Sequence, residues 1–279
     1  GIGLLCILIL LAIFFMLFYN SVAFFLRVNP LDFISLTQWN TAHDNETSVY
    51  GLLSLLFSTL LVTLLALLIA IPLGIGTATF MAEYAPKKLN NVLKPLIEML
   101  AAIPSVAIGF MGIMVVGPFI ASIFHLNNGL NALNGAILLA IMTLPTIITI
   151  TEDALHAVPS MYKEASYGLG ASKWTTFCQI TFPAALPGIL SAVMLGMGRA
   201  IGETMTVLMA TGNAVAFPEN IFDSVRTITA TIAIEMGEVP YKTTHFYSLF
   251  AIAFVLFVFT MLFNILAEKV ASNFRKLQG

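Results

Sequence analysis

Six apolar runs, each long enough to cross a bilayer, set the terms on which this chain can fold. They cover residues 4–26, 52–82, 95–123, 132–151, 188–212 and 244–267. A helical span needs roughly 20 such residues. In hydrocarbon only a helix or a closed barrel satisfies every backbone N–H and C=O. Of the 279 residues 59% are hydrophobic and 9% charged, against about 25% charged in a soluble domain. One water-soluble core cannot hide that much apolar surface, so the sequence predicts an all-α integral membrane protein with six transmembrane helices. The net charge of −2 supplies no basic surface for nucleic acid. The second and third runs are longer than a bilayer requires. They contain Pro72, Gly74, Gly76, Pro104, Gly109, Gly112 and Pro118, which predict kinks or tilts.

Positive charge orients such a chain. With the N-terminus in the cytoplasm, the inner loops and tail hold Lys87, Lys88, Lys94, Lys163, Lys173, Lys269, Arg275 and Lys276. The outer loops then hold only Arg27, Arg226 and Lys242. Eight against three predicts both termini inside and residues 152–187 in the cytoplasm. Lys269, Arg275 and Lys276 read as an inner-leaflet anchor. The sequence begins at Gly1 rather than Met, so residues are expected to precede it. Residues 4–26 are too long for a cleaved signal peptide and lack a processing site. The segment "TITATIAIEMGEV" (227–239) is too short to span and predicts an external helix or a re-entrant segment. Cys6 and Cys178 lie far apart, and His43, His125, His156 and His245 have no ligand spacing, so neither a disulfide nor a metal site is expected.

The longest inner loop is "EDALHAVPSMYKEASYGLGASKWTTFCQITFPAALPG" (152–188). Ser160 as cap and Glu164 in the first turns predict a helix over 160–168, stopped by Gly168 and Gly170. A second short helix is expected over 173–182, ended by Pro183 and Pro187 before the fifth span. A surface helix of this kind can dock in a groove of a soluble partner, or it can be a solvated connector. Glu164-Ala165-Ser166, three residues, Gly170, nine residues, then Ile180-Thr181-Phe182-Pro183 resembles the EAA motif of bacterial ABC importer permeases. Ser166 stands for the second Ala of that pattern and Phe182 for its Leu. The resemblance implies that residues 160–171 form a coupling helix that docks on an ATPase subunit. The chain has no G-x-x-x-x-G-K-[ST] phosphate loop, and "GLGASKW" (168–174) has the wrong spacing for one. ATP with Mg is therefore expected on a separate polypeptide, with no cofactor on this chain, which is then a transport subunit and not an enzyme.

The fifth run contains "GMGRAIGETM" (196–205). An ionisable residue at the centre of a span costs at least about 2.5–3.5 kcal/mol, so Arg199 and Glu203 need a reason to be there. On one continuous helix they are four residues apart and can pair. Gly196 and Gly202 flank Arg199 and admit a close approach, while Thr204 and Thr206 add hydroxyls. The pair can be a structural lock, a gate, or a site where the guanidinium meets an anion.

This segment, with "GIGTATFMAEYAP" (74–86), "KPLIEMLAAIPSVAIGFMG" (94–112) and "IMTLPTIITITEDAL" (141–155), resembles the phosphate-specific ABC permeases over roughly residues 50–270. Met205-Thr206-Val207 after Gly202-Glu203-Thr204 is similar to the PstC type of that system rather than the PstA type. The resemblance implies a type I ABC importer (MetI-like) permease core in the bacterial inner membrane. It divides the chain into residues 1–50, a permease domain over 51–270 and a tail over 271–279. It implies a PstA-type second permease, a PstB-type ATPase dimer and a PstS-type phosphate-binding protein as partners, with membrane lipid around them. It also implies that Arg199, Glu203 and Thr204 belong to the phosphate pathway or its gate. Another oxyanion, sulfate or molybdate, is the alternative cargo, and an ion-coupled carrier or a membrane sensor the alternative class. Among the remaining residues, Glu98 is expected to pair with Lys94 one turn before it. Glu152 and Asp153 are expected to cap the inner end of the fourth span, and Ser105, after Pro104, could line the pathway.

Overall fold

The computed structural model describes residues 2–41 and 48–278. Among them six helices are long and apolar enough to cross a membrane: Gly3–Phe25, Leu53–Tyr84, Ser105–Phe124, Ala132–His156, Lys173–Gly202 and Thr244–Lys269. The elements in chain order are α1 (Ile2–Phe25), α2 (Pro30–Ser35), β1 (Trp39–Asn40), β2 (Val49–Tyr50), α3 (Leu53–Thr79), α4 (Lys87–Ala101), α5 (Ser105–Met111), α6 (Gly117–Phe124) and α7 (Ala132–His156). Then follow α8 (Ser160–Gly168), α9 (Lys173–Thr176), α10 (Phe182–Gly202), α11 (Met205–Ala210), α12 (Ile228–Glu235) and α13 (Thr244–Gln278). One-turn π segments, Phe80–Tyr84, Gly112–Val116 and Phe177–Thr181, sit inside the second, third and fifth spans. The side chains of Arg275 and Lys276, read as a lipid anchor, lie outside the described residues, as does His43.

Two spans differ from the sequence expectation. The third begins at Ser105, not at residue 95. Pro104 disfavours helical backbone at Ile103, and the stretch before it forms the separate α4. That helix buries no residue fully and lays Leu93 and Ile97 against Ala78, Met81 and Ile148. The fifth begins at Lys173 and runs unbroken to Gly202. Pro183 and Pro187 do not end a loop helix; they lie inside this one. The carbonyl that Pro183 would clash with belongs to Gln179, in the π segment, where the wider turn makes room. Ser172 caps the start of the run by accepting from the Thr175 N–H at 3.1 Å.

The chain divides into two units. The first comprises residues up to Val62, Gly109–Gly135 and Glu203–Met261. Its core gathers Phe24, Phe33, Trp39, Tyr50, Leu52, Leu55, Ile228, Leu249 and Ile252. The short α12 is packed into this core. Ile228, Ala230 and Thr231 are fully buried, and the Ile228 N–H donates to Thr59 Oγ1 at 3.0 Å. Glu235, at the end of α12, ties three segments together. Its carboxylate accepts from Trp39 Nε1 at 3.1 Å and Arg226 Nη1 at 3.0 Å, and meets His245 Nε2 at 2.7 Å. Burial pushes the neighbouring Tyr50 phenol above its usual range; the Glu235 charge adds to this and a hydrogen bond with Ser48 opposes it.

The second unit comprises Thr63–Ile108, Ala136–Gly202 and the chain from Leu262 onward. Here α7 and α10 run antiparallel at close quarters. A Cβ on Gly188 would stand 2.5 Å from Ala154 Cβ, and one on Gly196 would stand 2.8 Å from Ile147 Cγ1. Ile147 is also met by Gly74 of α3, where a Cβ would stand 2.7 Å from Cγ2. Ile147 is fully buried between two helix backbones that only glycine lets this near.

Two outcomes follow from this packing. Glu235→Gln removes the charge that holds Arg226 and should destabilise the protein by roughly 2–4 kcal/mol. It lowers the melting temperature in detergent by several degrees, whereas exposed Glu238→Gln leaves it unchanged. Gly196→Ala should cost about 1–3 kcal/mol, because Ile147 has nowhere to retreat. Gly198→Ala meets nothing within 4 Å and should be neutral or gain up to about 1 kcal/mol of helix propensity. Parallel thermal melts of the two variants check the contrast.

Candidate functional site

Arg199 lies in the last turn of α10 with its side chain exposed. Its Nη1 donates to Thr146 Oγ1 of α7 at 3.3 Å. The register that seats Ile147 against Gly196 places the preceding Thr146 beside Arg199, one turn further along α10. Gly198 and Gly202 leave open space on either side, since a Cβ at either position would meet no atom within 4 Å.

The helix ends at Gly202, and Glu203 and Thr204 are not helical. The i to i+4 pairing expected from one continuous helix therefore does not apply. Arg199 belongs to the second unit and Glu203 to the first. Glu203 instead closes the first turn of α11: its Oε1 accepts from the Thr206 N–H at 3.4 Å and from Thr206 Oγ1 at 3.3 Å. An acidic side chain suits this place, where the first N–H groups of a helix lack partners. Its backbone carbonyl accepts from Thr229 Oγ1 of α12 at 2.9 Å. Thr204 stands at the N-cap of α11, half-buried and without a side-chain cap bond. Ser105, offered as a pathway residue, opens α5 and is half-buried.

The loop between α7 and α10 divides the EAA-like residues by what they do. Glu164 and Ala165 are exposed on α8, and Glu164 has no ion pair among the described residues. Ser166 is buried, its hydroxyl 2.9 Å from that of Thr176 in α9. Gly170 adopts φ +81°. Its N–H donates to the Tyr167 carbonyl at 2.9 Å and that of Ala171 to Ser166 at 3.2 Å. These are the paired bonds of a glycine C-cap. At the other end Pro159 holds the N-cap position, so Ser160 is the first helical residue rather than the cap. Ile180 lies in the π segment and Pro183 in the first turn of α10. Phe177 locks the base of the loop against Leu155, Val158, Ala185 and Ile189. Outward, Met161, Tyr162, Leu169 and Trp174 expose apolar surface, Leu169 at 90%.

Two contacts of the second unit were not legible as pairs. Lys163 of α8 meets Glu83, at the end of the second span, at 2.5 Å. Lys94 turns to buried Glu152 at 3.4 Å and to Asp153 at 4.0 Å, not to Glu98, which is exposed. The reason is electrostatic: a carboxylate with 3% side-chain exposure needs a counter-ion more than a solvated one does. Glu152 and Asp153 thus lie inside α7, which continues to His156, and do not cap its end.

Residues 70–276 match the family model described as binding-protein-dependent transport system inner membrane component. The chain belongs to that family. Among relatives of this permease, a probable ABC transporter permease protein YqgH of Bacillus subtilis (strain 168) is 40% identical, covering 88% of this chain and 79% of that one. A phosphate transport system permease protein PstC of Mesorhizobium japonicum is 36% identical over 85% of this chain and 76% of its own length. Two solved structures share the fold. A MetNI methionine ABC transporter chain has TM-score 0.62 at 19% identity, covering 78% of the permease and 93% of that chain. A chain of a bacterial ABC transporter that imports alginate has TM-score 0.64 at 13% identity, covering 97% and 96%. The permease is thus a multi-pass inner-membrane protein with the MetI-like all-α fold, and a transport subunit rather than an enzyme.

The glycine turn of α8 can be checked directly. Gly170→Ala forces a left-handed conformation on an L side chain at a cost of about 1–2 kcal/mol. Amide exchange at 169–171 should rise by about tenfold. Gly168→Ala, with open space around its Cβ, should leave exchange unchanged.

Proposed function

We propose that this permease forms, with a second permease of the PstA type, the membrane pathway of an ATP-driven importer of inorganic phosphate. The observation that carries the reading is an exposed guanidinium in the fifth span of a chain 36% identical to a PstC permease. A guanidinium fork suits a tetrahedral oxyanion. Glu203 adds discrimination: HPO4²⁻ carries a proton that a carboxylate can accept in a hydrogen bond, and sulfate does not. Arg199 and Glu203 sum to zero charge, so an arginine of the second permease completes the attraction. Thr204 lies beside them in the chain and belongs to the same gate.

Coupling runs through α8. Glu164, Ala165 and the apolar surface of Met161, Tyr162 and Leu169 form the face for a PstB-type ATPase, which binds ATP with Mg on its own polypeptide. Ser166, Gly170, Ile180 and Pro183 hold that face on the fifth span, so that movement of the ATPases reaches α10. A PstS-type phosphate-binding protein delivers cargo on the other side. Both termini lie in the cytoplasm, a reading that the lysine and arginine distribution supports. Residues 51–270 act as the permease domain and 271–279 as its cytoplasmic tail.

Labelled phosphate uptake by vesicles holding the whole complex tests this. Phosphate enters with ATP and sulfate does not. Arg199→Gln abolishes entry in a complex that still assembles, and Glu164→Lys uncouples ATP hydrolysis from it. Normal transport by Arg199→Gln would make the residue a packing device. A Glu203→Gln permease that carries phosphate normally and still rejects sulfate would remove the proton-recognition role.

A further inference from the structure

The unit that presents Arg199 also presents a hydroxyl that the sequence reading left out. Arg199 Nη1 donates to Thr146 Oγ1 at 3.3 Å, so the threonine oxygen is used as an acceptor. Two hydroxyls nearby, Thr143 and Ser191, donate back to their own helix. Thr143, one turn earlier, gives its hydrogen to the Leu139 and Ala140 carbonyls at 3.0 Å each. Ser191 on α10 does the same with the Pro187 carbonyl at 2.9 Å. Thr146 makes no such bond among the described residues, and it is only half-buried beside an exposed guanidinium. A hydroxyl that accepts one bond retains a donor hydrogen. The position is fixed from behind, because the next residue, Ile147, is clamped between Gly74 and Gly196.

We infer that Thr146 is a second element of the oxyanion site: it holds the Arg199 guanidinium in place and donates its own hydroxyl hydrogen to an oxygen of the same anion. Two donors of different kind then converge from two helices. One carries the charge and the other restricts the angle at which the tetrahedral oxyanion is met. Thr146 belongs to α7 and Arg199 to α10, so the site forms only when these two helices keep their register. A change in that register takes the two donors apart and releases the anion. The inference rests on the reading of Arg199 as a pathway residue.

The test is ATP-driven phosphate uptake by the reconstituted complex, with Thr146→Val, Thr146→Ser and Arg199→Gln compared with the wild type. Valine keeps the shape and removes the hydroxyl; serine keeps the hydroxyl. Thr146→Val should lower the maximal uptake rate by about tenfold or more, the scale of one hydrogen bond to a charged group, while Thr146→Ser stays within about twofold of the wild type. Assembly and melting temperature should be the same for all three. If Arg199→Gln abolishes uptake and Thr146→Val transports normally, the inference fails and the pathway reading stands. Equal losses in Val and Ser would mark Thr146 as a packing residue and overturn the inference too. If Arg199→Gln itself transports normally, the reading beneath the inference fails.

Discussion

Ile147 sits where three helices come closer than side chains normally allow. Gly74 on α3 and Gly196 on α10 each face it with bare backbone, and any Cβ at either position would overlap it. In lipid no hydrophobic force drives helices together, so the fit of a branched side chain into glycine grooves carries much of the association. The second unit depends on this contact for register. It sets Gly188 against Ala154 two turns toward the loop, and Arg199 against Thr146 at the other end. The same clamp therefore fixes both the base from which α8 extends and the neighbour that the arginine finds.

The charges of the permease divide into those that are satisfied within the chain and those that are not. Glu152 is buried and answered by Lys94, Glu83 by Lys163, and Glu235 by Arg226 and His245. Each of these carboxylates is at most 14% exposed, where an unpaired charge would be costly. Arg199 and Glu164 are different. Arg199 meets a neutral hydroxyl, and Glu164 has no ion pair among the described residues. One lies in a span and the other on the surface helix of the long loop.

Helix α8 shows how far local chemistry reached. Its length, its glycine stop and its exposed Glu164 were readable because each depends on residues within a turn or two of each other. The sequence offered Gly168 and Gly170 as stops, and the structure gives the positive φ to Gly170. The pairing of Lys94 was not readable, because proximity along a helix suggested Glu98 while burial of Glu152 decided the matter. Nor did the sequence reveal the Glu235 cluster, since Trp39 lies almost two hundred residues before Glu235, and Arg226 and His245 flank it at nine and ten residues without helical spacing.

The number of membrane-spanning helices, six, was determined by the sequence by itself, although the bounds of the third and fifth were not. That number follows from hydropathy over windows of about 20 residues, a sum that no tertiary contact can alter. Where helices break was decided by tertiary structure. Pro183 and Pro187 looked like stops but are absorbed beside a π segment, whereas Gly202 and Glu203, inside an apolar run, end α10. A break costs backbone hydrogen bonds, and only neighbours that satisfy the freed groups make it stable. Here Thr229, from another helix, binds the Glu203 carbonyl. That is why two charges four residues apart, which a single helix would have paired, do not meet as i and i+4 neighbours of one helix.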